Sequence, residues 1–304
     1  MRFDKPPLTY EQQLDQLIQR GMQCTDRNKA LHYLAHLNYY RLVAYWRPFE
    51  KGDADHRFQP DVSFDNALNL YVFDRELRLL VMDAIERIEV SVRTAWAYHL
   101  SHEYGPHAHL DPEHFRNHHQ SGWVYPQACE KLKAETRRSR ERFVVHLRNK
   151  YSEPVPPTWA IVEIMTIGQL SKWVGNLKLR RDRNAIARCY DMDEGNFCSF
   201  LHHLAIVRNT CAHHARLWNR DFNFAFRLPN NRPAVVASSL HQRDKRIYNT
   251  LVMLAYLMDV ISRGHHWKYR LRDLVEKHRI NTRAMGFPEN FGVLNIWSGV
   301  WNQS

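Results

Sequence analysis

Residues 64–102 read FDNALNLYVFDRELRLLVMDAIERIEVSVRTAWAYHLSH. Apolar side chains recur along this stretch every three or four residues, which is the spacing of one face of an α-helix. These positions are Leu70, Phe73, Leu77, Leu80, Val81, Ala84, Ile85, Ile88 and Val92. The pattern therefore predicts one long helix, and this helix supplies a core-facing stripe around which the remaining chain folds.

Charged residues on the same stretch follow the helical repeat. An acidic residue precedes a basic residue by four positions three times, a spacing that places the two side chains one turn apart. The pairs are Asp74 with Arg78, Asp83 with Arg87, and Glu89 with Arg93. Most such pairs lie on the surface, but Glu89 and Arg93 could orient a neighbouring catalytic side chain.

The rest of the chain also favours helix over sheet. The sequence has 11 glycines, whereas average usage would give roughly 21 in a chain of this length, so a loop-rich β architecture is disfavoured. Helical spacing and helix-start signals recur outside the long stretch. They predict helices over about 9–20, 26–33, 127–150, 158–177, 183–189, 196–219 and 246–262. The predicted fold class is an all-α helical bundle.

Pro154-Val155-Pro156-Pro157 interrupts the helical pattern and predicts a boundary between two regions. Residues 1–153 carry an aromatic cluster, the long charged helix and a basic helix, and residues 154–304 carry the remaining helices. Because the chain is long enough for one large core, we expect the two regions to form one compact unit. The aromatic cluster comprises Tyr39, Tyr40, Tyr45 and Trp46. It could stack bases, but packing between helices is the commoner use of such side chains.

The net charge of +11 and the isoelectric point near 9.5 indicate a polyanionic partner, and nucleic acid fits them better than a membrane does. The excess is concentrated in two runs. Either run alone could be an ordinary solvated helix face, but together they predict contacts with phosphates. The predicted RNA-binding residues are Lys131, Lys133, Arg137, Arg138, Arg140, Lys178, Arg180 and Arg181.

Residues 208–220, RNTCAHHARLWNR, form the most chemically distinctive stretch. The apolar stripe that ends at Leu204 and Val207 should carry another apolar group at position 208, but an arginine is there. If the helix continues, Asn209, His213, Arg216 and Arg220 lie on one face beside Arg208. The alternative is an arginine and a histidine that are satisfied within a helical core. Spacing alone does not distinguish these two interpretations, since Arg93 and His99 have a similar spacing by chance.

Metal binding and membrane insertion are not expected. Seven histidines lie between His99 and His119, but a His-Glu-x-x-His pattern does not occur and Gly105, Pro106 and Pro112 indicate a loop. The longest apolar segment, residues 251–257, is too short to span a bilayer. An odd number of cysteines without Cys-x-x-Cys fits a reducing compartment. We therefore expect a cytoplasmic protein that needs no metal and no other cofactor.

Several of these segments occur together in a known family. They are Tyr39-Tyr40-Arg41-Leu42 with Tyr45, residues 73–78, residues 88–94, Pro157-Thr158-Trp159 with Glu163 and Gly168, residues 208–220, and Met285-Gly286-Phe287-Pro288. In this order they resemble the abortive-infection (Abi) family of bacteria, the AbiD/AbiF-like group. That family is placed in the HEPN superfamily, so the resemblance implies a HEPN-like helical bundle with additional N-terminal helices.

The resemblance also implies a site and partners. HEPN ribonucleases use an arginine, a polar residue directly after it and a histidine four to six residues further on, and Arg208, Asn209 and His213 match. Glu89 and Arg93 match a supporting motif. His214 could replace His213, and Arg216 is a further supporting candidate. The implied partners are RNA as substrate, a second copy of the chain in a homodimer with a composite site, and a regulatory RNA or protein antitoxin.

The function predicted from these observations is a metal-independent endoribonuclease of a phage defence system. The nucleophile would be the 2′-hydroxyl of the RNA. His213 would move protons, since histidine ionises near neutral pH, and Arg208 would stabilise the charge on the phosphorane. Asn209 would position the phosphate or the imidazole. Two alternatives remain open: a non-catalytic RNA-binding protein that binds or is held by a small RNA, and an interaction bundle that binds no RNA.

Overall fold

The computed structural model describes residues 6–116, 122–242 and 244–301. Within these ranges the chain forms thirteen α-helices and no β-strand. The helices are α1 (Tyr10–Gln19), α2 (Arg27–His36), α3 (Tyr39–Trp46), α4 (Phe64–Tyr104), α5 (Tyr125–Arg138), α6 (Arg142–Lys150), α7 (Thr158–Ile161), α8 (Ile167–Gly175), α9 (Arg180–Arg188), α10 (Glu194–Ala212), α11 (Ala234–Ala237), α12 (Tyr248–Ile261) and α13 (Trp267–Lys277). The predicted all-α fold class is confirmed.

Helix α4 matches the prediction for the long stretch. It ends at Tyr104 rather than near residue 102, and all nine positions of its apolar stripe are buried. Two predicted ion pairs within it are confirmed: Asp83 with Arg87 at 3.2 Å, and Glu89 with Arg93. The helical period of the apolar residues was therefore sufficient to identify this element and its buried face.

Three other helices differ from the predicted bounds. The basic helix is broken into α5 and α6, because Ser139 has an extended backbone conformation. The helix predicted over 158–177 is broken into α7, a 3-10 turn at Val162–Ile164, and α8. Helix α8 begins anew because Thr166 and Gln169 form a capping box. The last case is α10, which ends at Ala212 and not near residue 219.

The chain divides into two compact units, and helices α4 and α13 contribute residues to both. The first unit comprises residues 1–77 and 273–280. Its core forms where α1, α2, α3 and the start of α4 bury apolar side chains such as Leu14, Leu34 and Trp46. The expected boundary between residues 1–153 and 154–304 stays a prediction.

The aromatic cluster of the first unit serves mainly in packing. Tyr45 and Trp46 are buried, and the Tyr45 hydroxyl donates a hydrogen bond of 2.7 Å to the buried Asp74 carboxylate. Tyr39 packs edge-on against Trp46. Tyr40 is 79% exposed and is the member that does not belong to the core. The packing interpretation is confirmed for Tyr45 and Trp46.

The second unit comprises residues 78–272 and 281–304. Helices α8 and α9 pack against α10, and residues 248–258 of α12 are all buried. Trp173 of α8 is surrounded by rings from other segments, with edge-on contacts to Trp96, Phe115 and Trp123. This aromatic packing fixes α8 against α4 and the segment before α5, and it thereby sets one wall of the cleft described below.

Two histidines are buried as neutral side chains in the second unit. The Nδ1–H of His203 donates to the Phe224 carbonyl, so Nε2 accepts from the Thr250 hydroxyl. His109 lies beside Thr158, whose hydroxyl donates to the Pro106 carbonyl, so His109 Nδ1 must be the donor. Burial lowers the pKa of His109 to about 3 and that of His203 to about 4. The structure therefore holds both imidazoles in the uncharged form at neutral pH.

We expect the free energy of unfolding to decrease as the pH falls below about 6.5. In the unfolded chain these two imidazoles bind a proton near that pH, whereas the folded protein binds it only near pH 3 to 4. The unfolded state then holds more protons, and each histidine lowers stability by about 1.4 kcal/mol per pH unit. Urea unfolding between about pH 7 and about pH 5, above the range in which most carboxylates titrate, measures the slope. A stability that does not change over this interval would contradict the prediction.

Candidate active site at the end of helix α10

Helix α10 carries the Arg-x4-His stretch in its last turn. Asp193 caps the start of the helix by accepting from the backbone N–H groups of Gly195 and Asn196. The apolar stripe lies in the core: Phe197, Phe200, Leu201, Leu204 and Val207 are all buried. Cys211, four residues after Val207, continues this stripe. The stripe therefore turns past position 208, and Arg208 is half-buried at its edge rather than directed into the core.

The predicted polar face from Arg208 to Arg220 is wrong, because α10 ends at Ala212. His213 is the C-cap, and His214 has a left-handed backbone conformation with φ of 56°. The His214 N–H bonds the Cys211 carbonyl at 3.0 Å and the Ala215 N–H bonds the Thr210 carbonyl at 2.9 Å. These two bonds define a Schellman motif, which usually has glycine at the position of His214.

The turn also satisfies carbonyl oxygens at this helix end. The bonds to Thr210 and Cys211, with the bond from the His213 N–H to the Asn209 carbonyl, satisfy carbonyl oxygens that would otherwise present partial negative charge. The Thr210 hydroxyl donates to the Ile206 carbonyl at 2.8 Å, so this side chain is held against its own helix. The last turn is therefore a fixed platform for its exposed side chains.

Arg208, Asn209 and His213 come together on this platform. The Arg208 guanidinium donates to the Asn209 side-chain oxygen at 3.3 Å, and the side chains of Asn209 and His213 are exposed. Across the described ranges, no carboxylate lies within 4.0 Å of the Arg208 guanidinium or the His213 imidazole. Two groups that can carry positive charge are therefore available to an anion from solution.

His214 and Arg216 have different surroundings. His214 is exposed and is part of the Schellman turn, and Arg216 is half-buried after it. Arg220 lies over the ring of Phe222, at 5.8 Å from the ring centroid. Because the helix has already ended, these three residues do not extend the face of Arg208. The supporting roles of His214 and Arg216 stay predictions.

Glu89 and Arg93 do not contact the last turn of α10. Arg93 bonds the Glu89 carboxylate within α4, and its guanidinium also donates to the backbone carbonyls of Glu163, at 3.2 Å, and Met165, at 2.7 Å. Met165 directly precedes Thr166, the N-cap of α8. The pair therefore fixes the start of α8, and its supporting role at the candidate site stays a prediction.

We expect Arg93→Ala to lower the free energy of unfolding by about 2–4 kcal/mol, because two carbonyls and the Glu89 carboxylate lose their donor in a largely buried place. Arg87→Ala is the matched control: it also removes an arginine with an acidic partner four residues before it on α4, but that pair is more exposed than Glu89 and Arg93, and its other bond is to the Ser262 hydroxyl, so the loss should be smaller, about 1 kcal/mol. Urea unfolding of both variants gives the comparison. If both variants lost the same free energy of unfolding, the contacts of Arg93 would contribute no more to stability than those of Arg87.

A cleft of about 420 Å³ lies between α5, α8 and α10, and Asn209 is one of its lining residues. Lys131 of α5, Lys172 of α8 and His202 of α10 line it as well. Burial, and then the charge of Lys172, lower the pKa of His202. Sequence reasoning missed Lys172 and His202. The available signal was that His202 precedes Asn209 by seven residues and so shares its face of the helix.

The predicted RNA-binding residues fall into two groups. Lys131, Arg137, Arg138 and Arg140 are exposed on or just after α5. The others are ion-paired: Lys133 with Glu130, Lys178 with Glu113, Arg180 with Glu194 and Arg181 with Asp182. A paired cation has less to gain from a phosphate, so the first group is better suited to RNA. The RNA contacts themselves stay predictions.

The histidine-rich segment shows ordinary structural contacts where it is described. His99 contacts the buried Asp182 carboxylate at 3.1 Å, and His114 stacks on Tyr104. His118 and His119 lie outside the described residues. Among the described residues there is no group of three or more His, Cys, Asp or Glu side chains that could hold a metal ion. Nor does any helix there have the length and apolar character needed to cross a membrane.

Comparison with known proteins places these elements in a family. A model of the Abi-like protein family matches residues 32–219, which is more than half of the chain. The matched range includes α4 with Glu89 and Arg93, and it extends past the end of α10 with Arg208, Asn209 and His213. Comparisons with curated proteins and with solved structures found no match. The chain therefore belongs to the Abi-like protein family.

Proposed function

We propose that this protein is a metal-independent endoribonuclease of a bacterial abortive-infection defence, with a HEPN-type site at the end of α10. The observation that carries the proposal is the position of Arg208, Asn209 and His213 at one fixed helix end, with no carboxylate within 4.0 Å of the Arg208 guanidinium or the His213 imidazole in the described structure. Family membership supports the role in phage defence.

The chemistry needs only proton transfer and charge stabilisation. His213 accepts the proton of the RNA 2′-hydroxyl, and the 2′-oxygen attacks the adjacent phosphorus. Arg208 stabilises the negative charge of the phosphorane, and Asn209 holds the guanidinium or a phosphate oxygen. The bond from phosphorus to the 5′-oxygen then breaks, and that oxygen takes a proton from a second acid. The products carry a 2′,3′-cyclic phosphate and a 5′-hydroxyl.

A homodimer supplies the second acid in this proposal. His213 is exposed, so the imidazole of a second copy could face the same phosphate and donate the proton to the leaving oxygen. One copy would otherwise have to use the same histidine for both transfers. A regulatory RNA or protein antitoxin would act by covering this exposed helix end.

The test is cleavage of end-labelled total RNA by the purified protein in the presence of EDTA, with chemical mapping of the fragment ends. We expect cuts that end in a cyclic phosphate and that continue in chelator. Salt-sensitive RNA binding without any cleavage would instead favour the non-catalytic RNA-binding function. The exposed cations Lys131, Arg137, Arg138 and Arg140 are also consistent with that function. Cleavage that stops in EDTA and returns with a metal would refute the metal-independent mechanism.

A further inference from the structure

The cleft between α5, α8 and α10 has an unusual charge distribution. Two lysines and a histidine line it, and no carboxylate does so among the described residues. Lys131 and Lys172 are exposed, and neither has an acidic partner within the described ranges. The cavity beside Arg138 and Arg140, in contrast, is lined by three glutamates. The cleft therefore has the chemistry to hold an anion.

The cleft continues directly into the candidate active site. Asn209 lines the cleft, and its side-chain oxygen accepts from the Arg208 guanidinium. His202, Ala205, Ile206 and Asn209 form one face of α10 and together make a wall of the cleft. A polymer that occupies the cleft can therefore pass over Asn209 to Arg208 and His213 without leaving the surface of α10.

The other surfaces of the cleft suit the non-charged part of a nucleotide. Trp123 and Trp173 lie at the bottom of the cleft but are only 5% and 1% exposed, and the amides of Gln127 and Asn209 offer donors and acceptors for base edges. The volume of about 420 Å³ is within the range of small-ligand sites. At Gly168 an added Cβ would meet only the Thr166 hydroxyl oxygen, at 3.8 Å, so this wall leaves open space.

We infer that this cleft binds one nucleotide of single-stranded RNA next to the bond that is cut, with Lys131 and Lys172 contacting its phosphate. The inference rests on the proposed ribonuclease function for the choice of RNA and for the position of the cut. An acidic protein segment would also be attracted by the lysines, but RNA is favoured because the cleft adjoins Arg208 through Asn209, and Arg208 is proposed to act on a phosphodiester.

The experiment measures binding separately from cleavage. The probe is a mixed-sequence single-stranded oligonucleotide with every 2′-hydroxyl methylated, so that it cannot be cut, and its affinity for the full-length protein is measured over a series of salt concentrations. Three variants are compared with the wild type: Lys131→Gln with Lys172→Gln, which removes the charges; Gly168→Leu, which fills the cleft; and Lys51→Gln with Lys245→Gln. The last is a matched loss of two exposed lysines that have no acidic partner in the described ranges and do not line the cleft.

We expect the first double variant to bind about tenfold more weakly, with a salt slope smaller by about 0.7 for each phosphate that a lysine no longer neutralises. Gly168→Leu should also weaken binding about tenfold at an unchanged melting temperature, because the new side chain enters open space. The Lys51 and Lys245 control should bind nearly as the wild type does.

The inference is overturned if replacing the cleft lysines lowers the affinity for the probe no more than replacing the control lysines does. It is also overturned if Gly168→Leu binds the probe normally, or if the wild-type protein does not bind the probe. The assay with cleavable RNA separates this outcome from failure of the proposed function. Normal cleavage that depends on His213, with normal binding by the cleft variants, would reject the subsite and retain the ribonuclease. Cleft-dependent binding without cleavage by any protein would retain the RNA site and reject the ribonuclease.

Discussion

His213→Ala is expected to reduce RNA cleavage by at least about 100-fold, because it removes both the base for the 2′-hydroxyl and, in a homodimer, the acid for the leaving oxygen. The fold should not change. The His213 side chain is exposed and has no hydrogen-bond partner in the described structure, and alanine keeps the backbone N–H that bonds the Asn209 carbonyl. Initial rates on end-labelled RNA, with circular dichroism of both proteins, measure the two effects.

Two further histidine variants make this result specific. His266→Ala removes another exposed imidazole of the second unit and should leave cleavage unchanged. His214→Gly removes the adjacent imidazole and places glycine where φ is 56°, so the turn is preserved. If His214→Gly lost activity and His213→Ala kept it, the proton-transferring group would be His214. If His213→Ala unfolded the protein, the exposed position described for it would be wrong.

Arg208→Ala is expected to lower the cleavage rate by about 10²–10³-fold, because a preorganised donor to the phosphorane contributes about that much. Stability should change little, since Arg208 is half-buried and its described hydrogen bond is to the neighbouring Asn209. Arg208→Lys keeps the charge but not the planar fork, so its rate should lie between those of the wild type and the alanine variant.

The matched control for Arg208 is Arg283→Ala, which removes an exposed arginine of the second unit that pairs with Glu289. Single-turnover rates at saturating protein separate chemistry from binding. For Arg208→Ala the rate should fall more than the affinity for the methylated probe does. Equal losses of rate and affinity would assign Arg208 to binding alone, and a normal rate would remove it from the mechanism.

The sequence was most informative where local pattern and tertiary packing agree. In α4 the apolar period alone located the buried face, since every position of the stripe packs into a core. The capping box at Thr9 and Gln12 likewise located the start of α1. Between α5 and α6, residues 139–141 are charged or polar and compatible with a helix. The sequence therefore did not predict that the helix is interrupted there.

The end of α10 could not be read from the sequence for a different reason. A helix commonly ends before a glycine that takes up a left-handed conformation, but here the left-handed residue is His214. Histidine tolerates that conformation without predicting it. The cleft was missed because Lys131, Lys172 and His202 come from three helices, and their proximity follows from packing that a local pattern does not contain.

The Schellman turn at His214 gives the residues between Arg208 and His213 a structural role. Thr210 and Cys211 are buried, and their carbonyls accept the hydrogen bonds that close the turn. A pair such as Arg93 and His99, with similar spacing inside a continuous helix, cannot form this geometry. A search for related chains should therefore require two small or apolar buried residues and a helix stop within the motif. A search for arginine and histidine alone would collect many sequences that are unable to build the site.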